Sequence, residues 1–216
     1  MTSIVKQIIT ATEGAYVRGG TYADKPQRLA DGIYVDIKYS SDPETYREGL
    51  LKFDISGVAK GSVSYTIFSG DYVNMDADRT FDIYQIDTDW DADKVTFNTK
   101  PEGTLIADNI SFNGAHKMLE LSSVIEDALA NGERVFSIRI VPHPHTGAGQ
   151  TRIQMEGENN PFIMILDEKP SKNYFETLDS DKEKNAEIWA WAQKMFDEWY
   201  ARYQALPAIN EDAVKL

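Results

Sequence analysis

The chain lacks cysteine altogether, has only three histidines and contains no long apolar run. The absence of cysteine excludes disulfides as a source of stability. It also means that cysteine usage does not indicate whether the protein works in an oxidising or a reducing compartment. A membrane-spanning helix needs about 18 consecutive apolar residues, and no segment approaches that length. We therefore expect a soluble, globular protein that does not use a membrane as a partner.

Basic residues are scarce as well. Lysine and arginine total 22 against 35 aspartates and glutamates, so the formal net charge is −13 at pH 7. Such a negative balance argues against non-specific binding to DNA or RNA, so no nucleic-acid partner is expected. An acidic ligand would need either a local group of basic side chains or a bridging cation.

Alternating short segments dominate residues 1–167. Glycines, prolines and Asn/Asp clusters separate them at fairly regular spacing, which predicts an all-β, antiparallel β-sandwich of the jelly-roll kind. The segment 162–166 is apolar throughout, which predicts a central strand covered on both faces. Three other segments have apolar residues at every second position and should supply the core, in the sets Ile33, Val35 and Ile37; Leu51, Phe53 and Ile55; Phe136, Ile138 and Ile140.

Two segments predict helices instead. The first is 122–131, with Ser122 or Ser123 as its cap and Gly132 closing it. After Pro170 the chain changes character, and a linker is expected at 168–179. An amphipathic helix follows in the extension 180–216, which could dock on or begin a catalytic domain. This C-terminal helix should start after Ser180, stop before Pro207 and present Trp191, Met195 and Trp199 on one face.

Several motifs resemble one known family in the same order along the chain. They are AYVRGG at 15–20, YVDIK at 34–38, REGLLKFDI at 47–55, WDADKVTFNTKP at 90–101 and PFIMI at 161–165. Together they cover roughly residues 10–167 and resemble the DNRLRE-type β-sandwich domains. That family includes carbohydrate-binding modules found beside alginate lyases and similar polysaccharide-degrading enzymes.

The resemblance implies a non-catalytic module that targets a tethered lyase or glycoside hydrolase to an acidic polysaccharide such as alginate or a glycosaminoglycan. It also implies a secreted, periplasmic or cell-surface location. No signal peptide follows Met1, so either the export signal has been removed or the protein is cytosolic. Two other functions stay open. The sandwich could be a structural spacer, or a jelly-roll lyase that uses Tyr with Arg or His on its concave face.

The scarce basic residues are the candidate carbohydrate-binding residues. Some are out of phase with the buried residues of their strands, and others stand at strand ends; they match the lysines and arginines of the family pattern. A guanidinium fork binds a sugar carboxylate through two hydrogen bonds, and an ammonium group supplies a point charge. Alternatively, these charges prevent edge aggregation or form ion pairs with Glu48, Asp36 and Glu156. The candidates are Arg18, Lys38, Arg47, Lys52, Arg139 and Arg152.

A structural calcium ion is a further expectation from the resemblance, since many sandwich modules hold one near the chain termini. The candidate oxygen ligands are Glu13, Asp24 and Glu156. Gly14 departs from the family pattern, which usually has an aspartate there, and this weakens the calcium interpretation.

Two other segments have ligand-like residues. The acidic run 87–93 lacks the glycine and glutamate of an EF-hand, so a solvated turn is the alternative to a calcium loop. His143 and His145 flank a proline and could hold a metal ion, but no third ligand is apparent, so a rigid, exposed loop is the favoured interpretation. Trp90 is either a core aromatic or a platform for a sugar ring.

Overall fold

The computed structural model describes residues 5–61, 65–73, 79–111, 116–144, 150–156 and 160–166. The predicted linker at 168–179 and the C-terminal helix lie outside these residues. No helix in the described part of the chain is long and apolar enough to cross a membrane.

The described residues form strands, one short 3-10 turn at Gly20–Tyr22 and one α-helix. Every strand pairing among them is antiparallel, so the predicted antiparallel all-β fold is confirmed. The elements are β1 (Val5–Arg18), β2 (Tyr34–Ile37), β3 (Arg47–Asp54), β4 (Tyr65–Val73), β5 (Thr80–Ile86), β6 (Gly103–Ser111), β7 (His116–Glu120), α1 (Ser122–Ala130), β8 (Val135–Pro142), β9 (Thr151–Gln154) and β10 (Phe162–Leu166).

The strands form one curled sheet in the order β2-β9-β4-β10-β1-β3-β8-β5-β6, with β7 beside β4. The long strand β1 joins its two halves, because β1 pairs with β10 at its start and with β3 from Ala11 onward. A register shift between Ala11 and Glu13 marks the change of partner, and such a bulge bends a strand. An isolated bridge between Lys38 and Arg47 brings the end of β2 back to the start of β3.

The main core lies inside this curl, as the alternation predicts. The predicted core residues Leu51, Phe53, Ile138 and Ile140 are fully buried there, and α1 adds Ile125 and Leu129. The predicted central strand β10 lies between β4 and β1 and buries Ile163, Met164 and Ile165. Both predictions are confirmed.

The helix prediction for 122–131 is confirmed, but its start differs. The capping position is Leu121, and the carboxylate of Glu120 accepts a hydrogen bond from the Ser122 N–H at 2.8 Å. This bond satisfies one of the N–H groups that a helix leaves free at its first turn. At the other end Gly132 has φ +81°, the left-handed conformation that closes many helices.

Candidate functional site

The outer face of β1, β3 and β8 is covered by residues 87–102, which we call the covering segment. Trp90 is the centre of this contact: it is 6% exposed and packs with Val17, Leu50 and Val95 in a second apolar cluster. Its indole Nε1 donates a hydrogen bond to Ser137 Oγ at 3.3 Å. Trp90 is therefore a core aromatic, and the alternative of a sugar platform does not hold.

Lys52 helps to hold the covering segment in place. Its Nζ lies 2.7 Å from Glu13 Oε2, donates to the Trp90 carbonyl at 2.6 Å and stands 4.3 Å from the centre of the Trp90 ring. The other carboxylate oxygen of Glu13 accepts from the Ala92 N–H at 2.7 Å. The ammonium group of Lys52 is thus engaged within the molecule.

Arg139 ties the end of the same segment to the sheet. It is 6% exposed, and its Nη1 donates to the Pro101 carbonyl at 2.9 Å. Its Nε lies 3.5 Å from Glu48 Oε2, and Lys100 Nζ lies 3.8 Å from the other oxygen of Glu48. Burial raises the pKa of the Glu48 carboxyl and lowers the pKa of Lys100, although each opposes the other's shift by its charge.

A second group of basic residues lies where β2, β3 and β9 meet, and we call it the arginine cluster: Arg47 and Arg152 around Asp36. Asp36 is only 2% exposed. Its Oδ2 accepts from Arg47 Nη1, and its Oδ1 lies 3.3 Å from Arg152 Nε. Asp36 and Arg152 are direct partners in the β2–β9 ladder, and the Lys38–Arg47 bridge brings β3 alongside. Burial raises the pKa of Asp36, with Arg47 and Arg152 opposing that shift.

Two tyrosines flank the arginine cluster. The guanidinium of Arg47 lies 5.7 Å from the centre of the Tyr16 ring, and that of Arg152 lies 5.2 Å from the centre of the Tyr34 ring. Both distances are within the range of a cation–π contact. Burial raises the pKa of the Tyr16 phenol, although the charge of Arg47 opposes it, so the hydroxyl keeps its proton at neutral pH. A protonated phenol can donate a hydrogen bond to a ligand but cannot act as a base.

The other two candidate residues, Arg18 and Lys38, lie next to Arg47 of the arginine cluster. Arg18 is the direct partner of Arg47 in the β1–β3 ladder; its guanidinium stacks 3.7 Å from the Tyr22 ring centre, and its Nε donates to the Glu44 carbonyl at 2.6 Å. Lys38 exchanges backbone hydrogen bonds with Arg47 and forms no ion pair with another described residue. The fold therefore brings together four of the six candidates, namely Arg18, Lys38, Arg47 and Arg152.

Lys52 and Arg139 do not join that group, because they lie under the covering segment on the other face of the sheet. The ion-pair alternative is confirmed for Arg139, which pairs with Glu48, and for Arg47 and Arg152, which pair with Asp36. Arg152 still reaches solvent, with a fifth of its side chain exposed.

The structure does not assemble the three predicted calcium ligands. Glu13 is engaged by Lys52, Asp24 Oδ1 accepts from Asn98 Nδ2 at 2.8 Å, and Glu156 is exposed. No group of three or more His, Asp or Glu side chains in the described residues could hold a metal ion. A side chain at Gly14 would place its Cβ 2.7 Å from Met155 Cε, so the end of the methionine side chain would have to move aside. Calcium binding stays a prediction.

The other ligand-like segments have internal partners. Asp91, within the acidic run, accepts from the Asp93 N–H at 2.9 Å and from Lys94 Nζ at 2.5 Å, as in a solvated turn. His143 Nε2 lies 2.5 Å from Asp82 Oδ1. His145, its expected metal-binding partner, lies outside the described residues.

The sequence predictions named Asp36 as an alternative ion-pair partner but missed its burial, and they did not identify Tyr16 and Tyr34. Asp36 alternates with the apolar Val35 and Ile37, yet it is buried because two guanidiniums compensate its charge. The available signal was an acidic residue inside the strand segment 33–37, in a chain that also has arginines at strand positions.

The described residues form a curled antiparallel sandwich with arginines and tyrosines gathered at one site, an arrangement compatible with a small binding module. Consistent with this class, residues 5–167, well over half of the chain, match the model of carbohydrate-binding module family 96. The chain belongs to that family, and the prediction of a carbohydrate-binding module is confirmed. No curated protein matches the chain.

Proposed function

We propose that residues 5–167 bind an acidic, uronate-containing polysaccharide through the arginine cluster with Arg18 and Lys38. The observation that supports this most directly is the position of Arg47: it pairs with Arg18 across β1 and β3, lies 5.7 Å from the Tyr16 ring centre and shares Asp36 with Arg152. The chain as a whole has a net charge of −13, so a local group of cations is a departure from its overall balance. Such a group suits a ligand with regularly spaced negative charges.

The available hydrogen-bond donors support the same ligand. Arg47 Nη1 donates hydrogen bonds to Asp36 and to the side chain of Gln150. Arg152 donates from Nε to Asp36 and from Nη1 to Asp31. The Nη2 groups of both arginines make no hydrogen bond to a described residue. Each is therefore a donor for a sugar carboxylate, which guanidinium groups bind with good geometry. Tyr16 and Tyr34 add a hydroxyl and an apolar ring edge at the same site.

Binding at this site should be of modest strength. A few solvent-exposed ionic contacts support dissociation constants of about 10–1000 μM. Modest affinity is enough if a catalytic domain is tethered to the module, because the tether raises the local concentration of substrate without any new chemistry. We propose that the tethered partner is a polysaccharide-degrading enzyme, such as a lyase, and that the protein acts outside the cytosol, where such polysaccharides are met.

One observation favours a second candidate, a structural spacer without glycan affinity. Four of the six predicted basic residues already form ion pairs within the molecule, namely Arg47, Lys52, Arg139 and Arg152. For Lys52 and Arg139 the ion pairs stabilise the covering segment. If the ion pairs of Arg47 and Arg152 likewise served only to stabilise the fold, no acidic glycan would bind.

Calorimetric titration of the full chain separates the two candidates. We expect an oligouronate to bind, a neutral glucan of the same length not to bind, and the affinity to fall as salt rises, because exposed charges are screened. Arg152→Ala should weaken binding about tenfold or more. Arg134→Ala is the matched control, since it removes an exposed arginine whose side chain makes only a long hydrogen bond, 3.4 Å, to the Ser56 carbonyl among the described residues.

Two outcomes would contradict the proposal. Equal affinity for the neutral and the acidic glycan would show that the arginine cluster does not select a carboxylate. Absence of binding to either glycan by the folded parent chain would favour the spacer.

A further inference from the structure

Arg152 contacts two carboxylates that differ sharply in exposure. Asp36 is buried, and its Oδ1 lies 3.3 Å from Arg152 Nε. Asp31 has a side chain that is 67% exposed, and its Oδ2 lies 2.7 Å from Arg152 Nη1. The buried pair belongs to the folded core of the site, whereas the exposed pair is in contact with water.

Asp31 is presented to Arg152 by a tight turn. Asp31 and Gly32 have φ values of +52° and +83°, and positive values at both central positions are typical of a type I′ turn. Backbone hydrogen bonds close this turn, from Ile33 N to Ala30 O at 3.2 Å and from Ala30 N to Tyr34 O at 2.8 Å. The turn therefore does not depend on the charge of Asp31, and Asn would serve there because Asn also tolerates a positive φ.

An exposed ion pair of this kind is weak. Water competes with it, salt screens it, and exposed pairs contribute little to stability. A second carboxylate that reaches Arg152 from solvent can therefore replace Asp31 at small cost. While Asp31 stays in place, its negative charge also repels any acidic ligand that approaches the same guanidinium.

We propose that Asp31 is an internal competitor for the sugar carboxylate: it occupies Arg152 Nη1, which becomes the second contact of the uronate, beside Nη2, when the polysaccharide binds. This inference rests on the proposed function of the arginine cluster. In this exchange, Asp36 keeps its contact to Arg152 Nε and so orients the guanidinium. The hydrogen bond from Nη1 changes its acceptor from Asp31 to the sugar carboxylate. The turn thereby lowers the affinity of the module for acidic glycans.

The test is calorimetry on the full chain with a mannuronate tetrasaccharide at low salt. Asp31→Asn removes the competing charge and keeps the turn, and it should bind about two- to fivefold more tightly than the parent. The matched control is Asp108→Asn, which makes the same charge change at an exposed position in β6, a strand that pairs with β5. It should bind like the parent.

The contribution of Arg152 is tested in a double variant. If Asp31 acts by competing for Arg152, Asp31→Asn should bring no gain in an Arg152→Ala background. An equal gain with and without Arg152 would overturn the inference, and so would an equal gain from Asp108→Asn, since both would point to long-range charge alone.

Failure of the inference and failure of the proposed function give different results. If the parent binds, Arg152→Ala loses affinity and Asp31→Asn binds no better than the parent, the competitor is ruled out while the binding site stands. If neither the parent nor Asp31→Asn binds the tetrasaccharide, both proposals are wrong.

Discussion

Asp36 and Arg152 face each other as direct partners across β2 and β9, with Asp36 Oδ1 3.3 Å from Arg152 Nε. The same carboxylate also holds Arg47, which comes from β3. One buried acidic residue therefore joins three strands and sets the direction of two guanidiniums. This arrangement makes Asp36 a positioning residue for the arginine cluster, and its removal should affect both stability and the site.

We expect Asp36→Asn to lower the free energy of unfolding by about 2 kcal/mol. Breaking a buried ion pair usually costs more, but Arg47 and Arg152 are each about a fifth exposed and can regain some hydration. Urea denaturation of the variant and the parent measures the difference. Asp108→Asn, an exposed change of the same type, should stay within about 0.5 kcal/mol of the parent. If Asp36→Asn also stays within about 0.5 kcal/mol of the parent, Asp36 does not stabilise the fold by holding the two arginines.

Arg139→Met should reduce stability without changing glycan binding. The variant leaves the buried Glu48 without its Arg139 partner and removes the hydrogen bond to the Pro101 carbonyl, so we expect a loss of about 2–3 kcal/mol. Met keeps much of the apolar stem beside Tyr84. Urea denaturation gives the stability, and calorimetry at a temperature where the variant is folded gives the affinity. A clear fall in affinity of the folded variant would place Arg139 in the binding site after all.

The Asp82–His143 contact should make part of the stability depend on pH. Burial alone would raise the pKa of Asp82, but hydrogen bonds from the Asn109 N–H and from His143 outweigh it and hold that pKa below its ordinary value. Because its pKa is lowered in the folded protein, the ionised Asp82 stabilises the fold at pH values above the ordinary carboxyl pKa. This stabilisation is lost as the pH falls through the lowered pKa.

The destabilisation by Asp82→Asn should therefore be largest near neutral pH and shrink as the pH falls below about 4, the ordinary pKa of an aspartate. Urea denaturation across that range measures it. Asp87→Asn, at an exposed position, should show no such trend. A pH-independent difference between Asp82→Asn and the parent would mean that the charge of Asp82 does not contribute.

The alternation of apolar residues was enough to predict the core. Leu51, Phe53, Ile138 and Ile140 were assigned to it by their period of two, and all are buried. Period two also shows that Arg47 and Lys52, five residues apart in β3, point to opposite faces. What period two does not show is that both faces of this sheet are covered, because the covering segment is an irregular loop with no periodicity.

The basic residues illustrate the same limit. Their positions in the sequence identified Arg18, Lys38, Arg47 and Arg152 together with Lys52 and Arg139. Apart from the opposite faces of Arg47 and Lys52, these positions did not separate the two groups. Whether a charge reaches solvent depends on which distant segment passes over it. For Lys52 that segment contains Trp90, 38 positions further along the chain.

Local periodicity and the residues at helix ends were enough to predict the class of fold, the main core and the short helix. Which cations meet in one site, and which stabilise the fold through internal ion pairs, depends on contacts between distant segments. Cross-strand pairing brings Asp36 beside Arg152, 116 positions away, and the covering segment buries Arg139. Contacts of this kind form between strands that are distant in sequence, so no local pattern encodes them.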